Sequence, residues 1–213
     1  MPSTDGARTG WHAHSGSGTP AGPDALYAGT PPWDIGRPQP AFAGLASAGA
    51  LTGRVLDAGC GTGEHTLMAV ALGLDATGID LAATALRTAE RKARQRGLTA
   101  RFLRWDALRL AELGESFGTV LDCGLFHLFN GHDRAGYTRG LHTVLVPHGR
   151  YFMLCISDAQ PPGGWGRVHR VSMGELIAAF DDGWQVSSIE PATLDITPAP
   201  GAVRAWLATI TRT

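Results

Sequence analysis

Val55-Leu56-Asp57-Ala58-Gly59-Cys60-Gly61-Thr62-Gly63-Glu64-His65-Thr66 is the stretch whose reading decides the fold. A short apolar run closes on an acid, three glycines follow at alternate positions, and the helix-compatible segment Thr66-Leu67-Met68-Ala69-Val70-Ala71-Leu72 begins. That order reads as strand, tight turn and helix. Glycines in such a turn permit positive φ and lack the Cβ atoms that would hold a ligand off the main chain, while the helix start offers unpaired N–H groups. The stretch is a cradle of the nucleotide-binding type.

Spacing separates the two cofactor classes that use this geometry. A dinucleotide loop, G-x-G-x-x-G, requires glycine at position 64, where this chain has Glu64. The pattern here is G-x-G-x-G preceded by Asp57, and it resembles motif I of the class I S-adenosylmethionine (SAM) dependent methyltransferases. Asp57 and Glu64 would repel a pyrophosphate but tolerate the sulfonium and ammonium of SAM. The resemblance implies SAM as cofactor and S-adenosylhomocysteine as product, with Asp57, Gly59, Cys60, Gly61 and Gly63 at the binding site. An ordinary strand-to-helix turn is the plain alternative, against which the companion motifs weigh.

The first companions are two further acids at strand ends. Asp75-Ala76-Thr77-Gly78-Ile79-Asp80 is a second short strand, and Asp80 lies about twenty residues past the glycine turn, where a carboxylate can accept from ribose hydroxyls. Family resemblance gives Asp80 that role and sets Leu81 beside the adenine; a cap on the next helix is the plain alternative. That helix, Ala83 to Arg96, carries the i,i+4 pair Glu90 and Arg94 and stops at Gly97. Its arginines and Lys92 read as a solvated face. The third strand, Ala100 to Trp105, runs into Asp106-Ala107, which resembles the adenine-reading position. Asp57, Asp80 and Asp106 would share the carboxyl edge of a parallel sheet, where open α/β folds bind ligands.

Composition bounds the rest. The chain has 213 residues, 44% hydrophobic and 17% charged, enough for one sizeable core in one domain. A net charge of −1 gives no electrostatic footprint for nucleic acid. Cys60, Cys123 and Cys155 are widely spaced, which indicates neither a disulfide framework nor a zinc site, and suits a reducing compartment. No apolar run reaches the length of a membrane span, and the expectation is a cytoplasmic protein acting on a small molecule, away from membranes. Residues 1–24, rich in Gly, Ser, Pro and Thr, read as a flexible leader to a domain over 25–213. Within the leader, Trp11-His12-Ala13-His14 offers two histidines without a third ligand, so no metal is expected.

From Tyr27 the composition changes. Pro31-Pro32-Trp33-Asp34-Ile35-Gly36-Arg37-Pro38-Gln39-Pro40 prevents a helix and fixes an extended strap, after which Phe42, Leu45 and Leu51 can face a core. The strap is similar to the P-W-D-x-G-x-P segment of small-molecule methyltransferases of the thiopurine, thiol and halide type, and more closely of actinobacterial heterocyclic-toxin methyltransferases. By that resemblance it covers cofactor and acceptor: Trp33 serves as a lid aromatic, and Arg37 meets the methionine carboxylate. A structural strap with Trp33 in the core is the alternative.

Phe117 to Gly124 reads as strand four, leading into Leu125-Phe126-His127-Leu128-Phe129. In the resembled family the following loop lies under the methyl donor, which brings Cys123 to the cofactor. DNA amino-methyltransferases carry [D/N]-P-P-[Y/F/W] there; Asp122-Cys123-Gly124-Leu125 departs from it and argues against that acceptor. His127 is the candidate general base, since an imidazole of ordinary pKa takes a proton near neutrality, with His169 in reserve; a loop-capping histidine is the alternative. Tyr27, Trp33, Phe126, His127, Phe129 and Trp165 are the candidate acceptor pocket. A helix over Asp133 to Leu145, a turn at Pro147-His148-Gly149, a fifth strand Arg150 to Ile156, a capping box at Ser172-Met173-Gly174-Glu175 and strands Trp184–Ile189 and Val203–Ile210 complete the chain.

These readings converge on a Rossmann-like class I methyltransferase fold, α/β, with seven mostly parallel strands, helices on both faces and an antiparallel C-terminal hairpin. The implied function is methyl transfer from SAM to an O, N or S atom of a small hydrophobic aromatic or heterocyclic molecule. Thiol or halide methylation and a non-catalytic SAM-binding regulatory module are the alternatives; an NAD-dependent oxidoreductase would need the missing glycine at 64.

Overall fold

A computed structural model describes residues 22–162, 168–197 and 202–213. Its strands are β1 (Val55–Ala58), β2 (Ala76–Asp80), β3 (Arg101–Arg104), β4 (Phe117–Cys123), β5 (Leu145–Ile156), β6 (Trp184–Asp195) and β7 (Ala202–Arg212). They form one sheet in the order β3-β2-β1-β4-β5-β7-β6. The first five are mutually parallel; β7 enters antiparallel between β5 and β6. The seven-stranded expectation with its antiparallel hairpin is what the chain adopts.

The helices are α1 (Pro40–Ser47), α2 (Glu64–Ala71), α3 (Ala83–Gln95), α4 (Gly131–Val144) and α5 (Met173–Ala179). One face of the sheet buries Phe42 of α1 and Ala69 of α2 against Leu121, Phe152 and Leu154. The other buries Tyr137 and Leu141 of α4 and Leu176 of α5 against Val120, Tyr151 and Met153. Strands covered on both faces explain why β1 is buried throughout rather than alternating. The capping box that opens α5 is present, Ser172 and Glu175 satisfying each other's backbone N–H.

Boundaries move where backbone chemistry overrides the apolar pattern. Gly63 takes φ +84 and serves as N-cap, so α2 starts at Glu64 rather than Thr66. The expected turn at Pro147-His148-Gly149 is instead an irregularity inside β5: pairing with β4 jumps from Phe117↔Leu145 to Thr119↔Arg150, with His148 at φ 63. β6 continues through Pro191 to Asp195, which an edge strand tolerates because proline's missing N–H faces no further ladder. The leader reading falls mostly on residues outside those described, as do His12 and His14. Its last two residues belong to the body: Asp24 lies in a 3-10 turn, Pro23–Tyr27, and its Oδ1 accepts from Thr84 N at 2.7 Å, capping α3. Among the described residues, no helix is long and apolar enough to cross a membrane.

Candidate functional site

In a parallel sheet every strand ends on the same edge, so the ends of β1, β2 and β4 are neighbours: Ala58 pairs with Ile79 on one side and Asp122 on the other. Above that edge lies a cavity of about 850 Å³. The size suits a cofactor together with a small molecule. Its walls include Tyr27, Trp33, Arg37, Gly59, Cys60, Gly61, Asp80, Leu81, Asp106, Ala107, Cys123, His127, Phe129 and His169. Most of the candidate residues, scattered over the chain, meet there.

The glycine turn shows why it needs its glycines. A Cβ on Gly61, at φ +52, would sit 2.8 Å from the Tyr27 hydroxyl. Gly63 does not reach the cavity; a Cβ there would lie 2.7 Å from Ala89 Cβ, so its role is to let α2 close onto α3 and β3. Asp57 is likewise under the site rather than in it, 1% exposed, with Oδ2 accepting from Thr66 N at 2.9 Å and Thr66 Oγ1 at 2.7 Å. Burial pushes its carboxyl up to about 6, and the Thr66 bonds oppose that shift. Its work is to hold the helix start against the strand end.

Asp80 does face the cavity. Its Oδ2 accepts from Gly61 N at 2.9 Å and its Oδ1 from Ala82 N at 2.8 Å, which leaves each oxygen lone-pair capacity for a ribose hydroxyl. Burial raises its pKa and those backbone bonds counteract. Asp106 Oδ1 accepts from Leu108 N at 2.9 Å, and its other oxygen remains for a ligand. Two carboxylates and a bare glycine turn on one cavity wall fit the adenosine part of SAM. When bound, the cofactor supplies an electrophilic methyl on sulfonium.

Glu64 departs from expectation by being spoken for. Lys92 approaches it at 2.8 Å and Arg96 grips it with two bonds of 2.8 and 2.9 Å. Burial opposes the charged form, but Arg96 and then Lys92 outweigh it and hold the pKa below the usual range. Arg37 is also paired, its NH2 to Asp195 at 2.7 Å, which stitches the strap to the end of β6 while the residue lines the cavity. Gln39 adds a reciprocal pair, its Nε2 donating to Asp195 O at 3.0 Å and its Oε1 accepting from Asp195 N at 2.8 Å. Gln39 N donates to His65 Nε2 at 3.1 Å, which puts the proton of that cavity-lining imidazole on Nδ1. His65 was invisible to motif reading, since nothing in its neighbours marks it as other than a helix residue.

Trp33 is 40% exposed, packs edge-on to Tyr27 with ring centroids 6.4 Å apart, and lines the cavity. Core placement is excluded by that exposure. Trp33→Ala is expected to cost under about 1 kcal/mol of stability, as for exposed sites, while lowering turnover roughly tenfold or more through loss of closure and alignment. Parallel thermal denaturation and steady-state assays check this; a large fall in melting temperature with unchanged turnover of the folded fraction contradicts it.

Phe126 corrects another expectation. It is fully buried and outside the cavity, stacked on Phe180 at 6.0 Å, because the loop after β4 turns in a 3-10 helix that points it into the core. Trp165 lies outside the described residues. Asp122, at the end of β4, fixes that loop: its Oδ1 accepts from Leu125 N at 2.9 Å, and its Oδ2 accepts from Tyr151 at 2.7 Å and Tyr137 at 3.0 Å.

His127 lines the cavity, and a backbone donor fixes its tautomer. Ile156 N donates to Nδ1 at 3.3 Å, so the neutral ring carries hydrogen on Nε2. Burial, then the positive charge of Arg134 and His169, drives its pKa down to about 3. A ring so weakly basic is suited to donating a hydrogen bond rather than removing a proton. The reserve residue His169 is 49% exposed at its side chain and lies 2.7 Å from Glu175 Oε1. Glu175, read in the sequence only as a helix cap, therefore also belongs to the cavity wall.

Known proteins resemble this chain throughout the described body. A family model described as a methyltransferase domain matches residues 55–149. A 2-heptyl-1-hydroxyquinolin-4(1H)-one methyltransferase of Mycobacteroides abscessus is 36% identical over 173 residues, 81% of this chain and 76% of that protein. A solved structure described as "Conversion of a Disulfide Bond into a Thioacetal Group during Echinomycin Biosynthesis" is 38% identical, with TM-score 0.81 over 89% of this chain and 91% of that one. The magnesium protoporphyrin IX methyltransferase of Synechocystis with bound SAM shares the fold at 19% identity, TM-score 0.62, over 81% of this chain and 76% of that one.

Proposed function

This chain belongs to the class I SAM-dependent methyltransferases acting on small molecules, and from that premise we propose that its acceptor is a flat, hydrophobic heterocycle or phenol methylated on oxygen, nitrogen or sulfur. The carrying observation is that one cavity is lined both by Asp80 and Asp106 and by the apolar Leu128, Phe129 and Val168. Aromatic and aliphatic side chains beside polar ones such as His127 and Arg134 suit a planar small molecule better than a polymer. The quinolone relative supports a heterocyclic acceptor. The echinomycin-pathway structure supports sulfur as a second reading of the reacting atom.

In-line transfer of a methyl gains most from alignment and exclusion of water, which Trp33, Tyr27 and the stitched strap provide. Cys123 and Gly124 line the cavity at the end of β4, and the reacting atoms would meet beside them. His127 contributes a hydrogen bond from Nε2 that orients the acceptor. His127→Ala is therefore expected to lower kcat/KM by about 2- to 13-fold, the value of one hydrogen bond, and by the same factor for a weakly acidic phenol and for an acceptor already ionised. Loss of about 10²-fold or more confined to the phenol would restore the base assignment.

Incubation of the protein and SAM with a panel of hydroxyquinolones, phenols, azoles and aryl thiols, read by mass spectrometry, tests the proposal. Gain of one methyl on at least one class is the expected result. Retained SAM binding with no product anywhere would instead favour the regulatory module.

A further inference from the structure

Arg134 of α4 is 9% exposed and lines the cavity, yet most of its hydrogen-bonding capacity is unused. NH1 donates to Glu175 Oε1 at 3.1 Å. Nε and NH2 are buried without a partner among the described residues. The guanidinium rests over the Phe126 ring, 4.9 Å from its centroid, which fixes the plane of the fork.

Glu175 cannot satisfy more of it. Its Oε1 is shared with His169 Nε2 at 2.7 Å, and its Oε2 takes Ser172 N at 2.8 Å and Ser172 Oγ at 2.9 Å. Burial opposes charge on Glu175, but these bonds prevail and hold its carboxyl down to about 2. The other titratable groups around Arg134 are His127 from the loop after β4, His169 ahead of α5 and Cys155 of β5. Among the described residues Arg134 donates to neither histidine: His127 Nδ1 is occupied by Ile156 N, and His169 turns its Nε2 to Glu175. A buried cation with idle N–H groups is costly unless an acceptor arrives to complete it.

We propose that Arg134, held by Glu175 and by the Phe126 ring, is a specificity-determining residue of the cavity: its buried charge draws the deprotonated or strongly polarised oxygen of an acidic heterocycle, and a small shift of the side chain brings the enclosed Nε and NH2 groups to that oxygen. The inference rests on the methyltransferase reading and narrows its acceptor to aromatic molecules that bear such an oxygen, N-hydroxy and enolic oxo heterocycles being the matching chemistry. A guanidinium that favours the acceptor's anion also explains how a site with so weak a base as His127 can handle hydroxyl acceptors: the proton is released to water before binding. Planarity of fork and ring together would orient a flat ligand.

Calorimetry on the protein saturated with S-adenosylhomocysteine tests this with two isosteric probes, quinoline-4-carboxylate and quinoline-4-carboxamide. The carboxylate is expected to bind about 10- to 100-fold more tightly than the amide, the scale of a charge-assisted bond. Arg134→Gln is expected to bring the two to parity while leaving S-adenosylhomocysteine affinity unchanged. If that variant does not fold, Arg134→Lys decides, since it keeps the charge but loses the fork, and the preference is expected to fall several-fold. Equal binding of the probes to the unmodified protein, failure of both to bind, or a preference undiminished in the folded variant overturns the proposal. Absence of methyl transfer across the acceptor panel, with the carboxylate preference intact, would overturn the catalytic reading alone.

Discussion

Asp80→Ala is expected to weaken SAM binding about 10- to 150-fold, or 1.5–3 kcal/mol, the range for hydrogen bonds to a charged group. Three roles converge on this carboxylate. It stands at the end of β2 on the cavity wall, it accepts from Gly61 N and so fixes the middle of the glycine turn, and it accepts from Ala82 N ahead of α3. On the proposed reading, removing it would deprive the ribose hydroxyls of an acceptor and free the glycine turn that lines the cavity. Isothermal titration with SAM checks the claim, with Asp80→Asn as the variant that retains one acceptor oxygen and should lose less. Affinity unchanged in Asp80→Ala would remove Asp80 from the site.

Gly63→Ala is expected to destabilise the fold by about 2–5 kcal/mol, combining the cost of a side chain at positive φ with that of overpacking. The backbone there has φ +84, and the added Cβ would meet Ala89 Cβ at 2.7 Å and Phe102 Cε1 at 2.9 Å, neither of which is the free end of a flexible chain. For a chain of this size the loss corresponds to a fall in melting temperature of roughly 4–20 °C. Gly73→Ala is the control: it has φ +82 but nothing within 4 Å of the new Cβ. Strain alone should cost it about 1–2 kcal/mol. Equal melting temperatures for the two variants would show that the contact of α2 with α3 and β3 is not what fixes this glycine.

Both predictions turn on residues the sequence singled out, Asp80 for a place on the cavity wall that it occupies and Gly63 for one that it does not, since Gly63 packs α2 against α3 and β3. Val55 to Thr66 announces itself because strand, turn and helix each demand particular residue types at adjacent positions, and Asp80 and Asp106 follow from strand ends on one edge. Partners distant in sequence are a different matter. Nothing near Arg37 in sequence announces Asp195, 158 residues away, which holds one arm of its guanidinium. Glu64 likewise looked like a charge facing ligand, and Lys92 and Arg96 turned out to neutralise it from what reads as a solvated helix face. Phe126 and Phe129 are three apart with identical chemistry, yet the 3-10 turn after β4 sends only Phe129 to the cavity wall. His127 was found by type, but which of its nitrogens carries the proton depends on Ile156 N, a backbone group no side-chain motif encodes. Arg134 carries no local signature at all; its meaning lies in the N–H groups that its surroundings leave unmatched.

Methyl transfer from SAM labelled in its methyl group with deuterium to a 1-hydroxyquinolin-4-one, followed by mass spectrometry of both products, tests the central claim most directly. The account predicts that the label appears on the heterocycle in equal amount to the S-adenosylhomocysteine formed, and that both fall together in Asp80→Ala at subsaturating SAM. Formation of S-adenosylhomocysteine without labelled acceptor, or an undiminished reaction in that variant, would contradict the assignment of one cavity to both reactants.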